Sequence, residues 1–183
     1  MPGGSLRFDL DTPARRASAG SQVARSLVFM ENSDRDIRIR DFELILGVTT
    51  PEMVAQEYAP LRWHDVREMA ANGISFGSHT VTHPTLSAVA ERVRIDQELR
   101  FSERRVEDET NREAPVFCYP SGRDVDITDV VVEMVHQYGY QAAVQTEPGL
   151  NRRDTDLMRL RRMGTDPDYD GLYFERICAV MRP

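Results

Sequence analysis

Apolar residues recur along this chain with two different periods, and the switches between them mark out its elements. From position 60 onward, Trp63, Val66, Met69 and Ala70 share one face of a 3.6-residue repeat, and Gly73 follows Asn72 where a helix end favours glycine. The short apolar run Ile74, Ser75, Phe76 then suits a buried strand. Ser87 can cap a long helix whose Ile95, Leu99, Ser102 and Val106 recur at i, i+4, i+7 and i+11, and residues 115–119 read as a second strand. Asp126 can cap a further helix that buries Ile127, Val130, Val131, Met134 and Tyr138 and stops at Gly139. Residues 140–146 suit a third strand and 157–163 a fourth. Strands alternating with helices at this spacing imply βαβ units and a parallel sheet, open or closed, whose chemistry sits at the carboxyl ends of the strands.

The first sixty residues differ in character. Residues 1–22 are rich in Gly, Pro, Ser and Ala, and 24–48 read as two short helical pieces broken near Glu31-Asn32-Ser33. The expected organisation is therefore an N-terminal helical segment over 1–59 and an α/β domain over 60–183.

Composition narrows the function classes. A chain of 183 residues is about one domain, and 40% hydrophobic with 29% charged residues is ordinary for a globular protein. The net charge of -7 argues against a nucleic-acid surface, which needs clustered Lys and Arg. No window is long and apolar enough to span a bilayer, and the first 30 residues lack the apolar core of a secretion signal. The default compartment is cytoplasmic, with the cell envelope open to a longer form. Cys118 and Cys178 follow no metal or redox spacing, so free buried thiols are expected over a disulfide. The oligomeric state is not legible.

Candidate chemistry concentrates in Gly77-Ser78-His79-Thr80-Val81-Thr82-His83-Pro84. Four-residue spacing puts His79 and His83 on one side of a helix or an extended strand, so two imidazoles can meet one ion. Two polar residues that merely share a segment remain the alternative. Gly73-Ile74-Ser75-Phe76-Gly77 overlaps this stretch and fits the G-x-S-x-G pattern of a serine hydrolase. That elbow needs strand, turn, then helix, whereas here a helix precedes the glycine and Ser75 lies within the apolar run. His64 and His136 read as surface residues.

The run LRWHDVREMAANGISFGSHTVTHPTLS, residues 61–87, closely resembles the second motif region of the polysaccharide deacetylases, the NodB-homology domain of carbohydrate esterase family 4. ELRFSERRVE, VFCYPSG and GYQAAVQTEPGLN follow in that family's order, and the stretch ending in LILGV looks like a helical insertion some members carry. The resemblance implies a partial or deformed (β/α) barrel. It implies a divalent metal as well, zinc first with cobalt or nickel as alternatives, and hydrolysis of the acetamide of an N-acetylated poly- or oligosaccharide. A metal on two histidines and an aspartate leaves positions for water and the acetyl oxygen, acidifying one and polarising the other. Carried onto this chain, His79 and His83 match the two histidine ligands. Tyr119, Pro120, Ser121 and Gly122 match the third motif, where the Ser121 backbone N–H would be the oxyanion donor and the others would line the substrate site.

Two departures limit the match. The family's first motif, Thr-Phe-Asp-Asp-Gly, supplies the aspartate ligand and the base, and this chain contains no Asp-Asp pair; Phe8-Asp9-Leu10-Asp11 is its nearest imitation. No histidine follows His136 to act as the late acid, and Cys118 stands near a position where many members carry arginine. The Asp-Asp motif is expected upstream of Met1, which leaves the base and acid unassigned. Two functions stay open: a carbohydrate de-N-acetylase or its C-terminal portion, and a non-catalytic remnant that binds carbohydrate or metal.

Overall fold

The structure, a computed structural model, describes residues 7–49, 59–164 and 171–180. The chain divides into two compact units, Met1–Thr49 and Thr50–Pro183.

The first unit holds two helices, α1 (Pro13–Leu27) and α2 (Asn32–Leu46). Thr12 caps α1 by accepting the Arg15 N–H through Oγ1 at 3.3 Å, and Pro13 occupies the first turn, where its missing donor costs nothing. The helix thus begins inside the Gly/Pro/Ser-rich stretch that the sequence reading set apart from the helical pieces. Gly47 ends α2 at φ 63, a conformation glycine adopts without penalty.

Among the described residues, the second unit is built on four parallel chain segments. β1 (Val116–Cys118) pairs with β2 (Ala142–Val144), with Phe117 opposite Ala143. Ser78 extends the sheet by an isolated parallel bridge to Phe117, and Leu160 extends it on the far side by a bridge to Val144. The segments therefore lie side by side in chain order. Helix α3 (Trp63–Ala71) precedes the first, α4 (Arg92–Thr110) links the first to β1, and α5 (Asp129–Tyr138) links β1 to β2. A last helix, α6 (Gly171–Val180), follows. The core joins Ile95 and Leu99 of α4, Val131 and Val135 of α5, and Phe117, Tyr119, Tyr140 and Ala143 of the sheet. Both linking helices thus cover one sheet face. Alternation turns Val116 and Cys118 to the other face, where Val116 is exposed and Cys118 half-buried.

Several expectations need correction. Residues 74–76 form no strand: Ile74 is 47% exposed and its N–H turns back to the Met69 carbonyl, because only Ser78 reaches a ladder partner. Residues 157–159 wind into a 3-10 turn, leaving Leu160 alone to bridge. Ser87 sits in a separate 3-10 turn, and α4 starts later, behind Glu91. Asp126 does not cap α5 either; Thr128 does, accepting the Val131 N–H at 3.4 Å. Val130, expected inside, is exposed, and Val135 takes its place in the core.

Candidate functional site

The carboxyl ends of the parallel segments gather the residues that the sequence singled out. Gly77 enters the site with its Cα pressed against β1, so that any Cβ there would stand 2.5 Å from the Val116 carbonyl oxygen. Beyond it, Ser78 locks into the sheet: its N–H donates to Val116 O at 3.0 Å and its carbonyl accepts from Cys118 N at 2.8 Å. Beneath the strand its hydroxyl joins a buried network, 2.7 Å from Ser102 Oγ and 2.8 Å from the Tyr140 hydroxyl. Burial pushes the Tyr140 phenol well above its ordinary range, so it stays protonated and donates.

The chain then leaves the sheet as a tight loop through two left-handed residues, Thr80 at φ 65 and His83 at φ 57. Such a conformation costs a non-glycine residue roughly 1 kcal/mol or more, so other contacts must hold it. One is internal, the His83 N–H to Thr80 Oγ1 at 3.1 Å. The loop brings the His79 and His83 rings to a centroid separation of 4.8 Å, edge to face at 85°. His79 Nδ1 lies 2.7 Å from the Cys118 carbonyl oxygen. A carbonyl only accepts, so Nδ1 carries the proton and, in the neutral ring, Nε2 keeps its lone pair. That is the tautomer a metal-ligating histidine needs. The donor set suits a borderline cation such as zinc, and two imidazoles make up half of a four-coordinate shell. Among the described residues, no group of three His, Cys, Asp or Glu could hold an ion.

After β1 the chain turns at Ser121, φ 62, and Gly122, φ 66. Glycine is required at 122, where a Cβ would meet the Tyr119 carbonyl oxygen at 2.9 Å and Thr146 N at 3.1 Å. The Ser121 carbonyl accepts from Thr146 Oγ1 at 2.8 Å, and Ser121 Oγ lies 2.9 Å from Thr85 Oγ1, two residues past His83. Among the described residues, no acceptor takes the Ser121 N–H. Tyr119 and Pro120 are buried, and the Tyr119 hydroxyl donates to Met158 O at 3.0 Å, so its ring packs within the core. Cys118 is a free thiol whose titration burial pushes upward; the Cys178 side chain lies outside the described residues.

The remaining candidates lie elsewhere. His64 and His136 are exposed, and so is Ser75 of the G-x-S-x-G match. Asp126 is buried and committed to Arg123, receiving its Nε at 2.9 Å and its Nη2 at 3.0 Å. Sequence reading missed Glu98. Its carboxylate takes the Val81 and Thr82 N–H groups at the tip of the histidine loop, a contact 16 or 17 residues away in sequence that no spacing rule signals.

Known proteins resemble this chain in sequence and in fold. YxkH of Bacillus subtilis (strain 168), whose name assigns it to the polysaccharide deacetylases, is 29% identical over 117 residues, covering 64% of this chain and 40% of that protein. The structure of the Streptococcus pyogenes deacetylase PplD, solved in complex with acetate, superposes with a TM-score of 0.60 at 26% identity over 70% of this chain and 54% of that one. BC0361, a polysaccharide deacetylase from Bacillus cereus, shares the fold with a TM-score of 0.57 at 22% identity over 80% of this chain and 48% of its own. The chain thus spans about half the length of these relatives or less. The polysaccharide deacetylase family model matches residues 45–143, more than half of the 183, and its match runs through the histidine loop and the turn after β1: this chain belongs to the polysaccharide deacetylase family.

Proposed function

We propose that this chain carries the histidine half of a metal-dependent carbohydrate de-N-acetylase, a hydrolase that cleaves the acetamide C–N bond of N-acetylhexosamine units in a poly- or oligosaccharide. The observation that carries the reading is the His79–His83 pair, 4.8 Å between ring centroids, with His79 hydrogen-bonded to the strand that leads into the turn at Ser121. A divalent ion, zinc first with cobalt or nickel as alternatives, would sit on the two rings and supply Lewis-acid activation of water and the acetyl oxygen.

The chain's own residues do the rest. The Cys118 carbonyl fixes the His79 tautomer and ring direction. The Ser121 N–H donates to the acetyl oxygen as the carbon becomes tetrahedral, a single contact of the kind worth roughly 10²- to 10³-fold in rate. Asp124 and Asp126 are not assigned as base, since the second is committed to Arg123 and the first is exposed beyond the turn. The carboxylate ligand and the base are assigned to polypeptide outside the described residues. A binding remnant is the second reading, favoured by the lack of a third ligand among the described residues.

Metal analysis and an acetate-release assay on the chain and on His79→Ala separate the two. Bound metal lost in the variant is expected for the enzyme and for a metal-binding remnant. Acetate release that vanishes with it, weak alone and raised by added formate, marks the histidine half of an enzyme, and metal with no release even with formate marks the remnant. A chain that takes up no metal sinks the enzyme reading and leaves the remnant only as a carbohydrate binder.

For the fold, we propose an arc of the family's barrel. Parallel segments in chain order with both crossover helices on one face support a rolled sheet, since an open doubly wound sheet carries helices on both. Among the described residues nothing pairs with the outer side of Ser78, beside a groove of about 450 Å³ lined by Trp63, Val81, Phe101 and Val106. An open edge next to apolar surface favours association. Sedimentation velocity is expected to show self-association, and thermal melts a low midpoint; a monodisperse, highly stable monomer would mean that the core closes in another way.

A further inference from the structure

A carboxylate on α4 holds the loop that carries the two histidines. Glu98 Oε2 accepts the Val81 N–H at 2.7 Å and the Thr82 N–H at 3.0 Å, while Oε1 accepts the Thr82 hydroxyl at 2.5 Å. Three donors from the two residues at the loop tip thus converge on one side chain. The helix that carries it cannot easily shift, because Ile95, Leu99 and Ser102 on its neighbouring face are buried in the core. The loop turns through left-handed Thr80 and His83, and the His83 N–H donates to Thr80 Oγ1 within it. The Cys118 carbonyl fixes the ring of His79 but not the backbone that sets how far His83 stands from it.

We propose that Glu98 is a positioning residue for the histidine pair: by clamping Val81 and Thr82 to α4 it sets the separation and relative orientation of the two rings for a shared divalent ion. The proposal rests on the metal reading above. It does not require Glu98 to touch the ion. Geometry is the agent, so the reach of the side chain at position 98 and an oxygen aimed at the two N–H groups matter, and the charge does not.

The test compares the full chain with Glu98→Ala, Glu98→Asp, Glu98→Gln and His79→Ala, using cobalt(II) uptake by absorbance and amide hydrogen exchange at Val81 and Thr82. Removing such an outer partner of a metal ligand typically weakens metal affinity about 10- to 100-fold, and that loss is expected in the Ala variant. Exchange at Val81 and Thr82 is expected to quicken by about tenfold or more as two of their bonds disappear, with Leu99 and Val131 amides unchanged. Asp keeps the charge but falls a methylene short, so it should resemble Ala. Gln keeps the reach: its amide oxygen accepts the two N–H groups and its NH₂ faces the Thr82 hydroxyl, and affinity should return to within about threefold of the parent.

The reverse order, with Asp near the parent and Gln weak, would make the effect one of charge and overturn the proposal. So would unchanged exchange at Val81 and Thr82 in Glu98→Ala, or faster exchange with unchanged cobalt affinity. Cobalt uptake absent from the parent overturns the metal reading and this one together, whereas uptake lost in His79→Ala and untouched in Glu98→Ala overturns this one alone.

Discussion

Acetate release by this chain on N-acetylated chitooligosaccharides, with zinc, cobalt or nickel supplied, is expected to stay close to background. Two imidazoles can capture an ion, yet without a carboxylate the site lacks its anionic partner and the geometry that partner fixes. The base is the greater loss, because general base catalysis typically contributes about 10²- to 10⁴-fold and no described carboxylate is free and aimed at the histidines. Asp126 is buried under Arg123, and Glu98 is occupied by three donors from the loop. The Ser121 N–H alone leaves a rate enhancement that a sensitive acetate assay can still read. Added formate, a small carboxylate able to enter an open site, is expected to raise the rate in the parent chain and not in His79→Ala. Robust turnover without formate, abolished by His79→Ala, would show that a carboxylate outside the described residues already fills the role.

Phe117→Ala is expected to destabilise the second unit by about 3–5 kcal/mol, a large share of the 5–15 kcal/mol typical of a domain. The ring has no solvent exposure and packs edge to face on Tyr119 at 5.2 Å and tilted against Tyr140 at 5.1 Å. Deleting it removes transfer energy, leaves a cavity, and forfeits two aromatic contacts of about 0.5–1.5 kcal/mol each. The backbone at 117 faces Ser78 on one side and Ala143 on the other, so the damage reaches the strand that carries His79. In urea, slopes near 1–3 kcal/mol per molar translate the loss into a midpoint lower by roughly 1–5 M. A loss under about 1 kcal/mol would mean that the three rings do not form the packed centre described here.

Local chemistry made some elements legible without a structure. Helix α3 followed from the period of Trp63, Val66, Met69 and Ala70 and from Gly73 beyond its end, because a helix face and a left-handed glycine are properties of a few adjacent residues. The same holds for α5, stopped at Gly139 with φ 112, and for the apolar cores of β1 and β2. The family resemblance likewise lived in contiguous motifs.

Where the reading failed, the deciding partner was distant. Residues 74–76 have strand composition but no ladder to join, so Ile74 stays exposed; residues 157–163 keep a single bridge at Leu160. The caps moved from Ser87 to Glu91 and from Asp126 to Thr128 because Arg123 claims the Asp126 carboxylate and the chain turns before each helix begins. By itself, the sequence determined which residues could do chemistry: two histidines four apart, and a serine in a turn after a strand. Only the tertiary structure decided how they are held. The Cys118 carbonyl that sets the His79 tautomer lies 39 residues away and the Glu98 carboxylate reaches back to the loop tip from α4, since hydrogen bonds between separated backbone segments depend on how the chain packs and leave no period for a sequence to display.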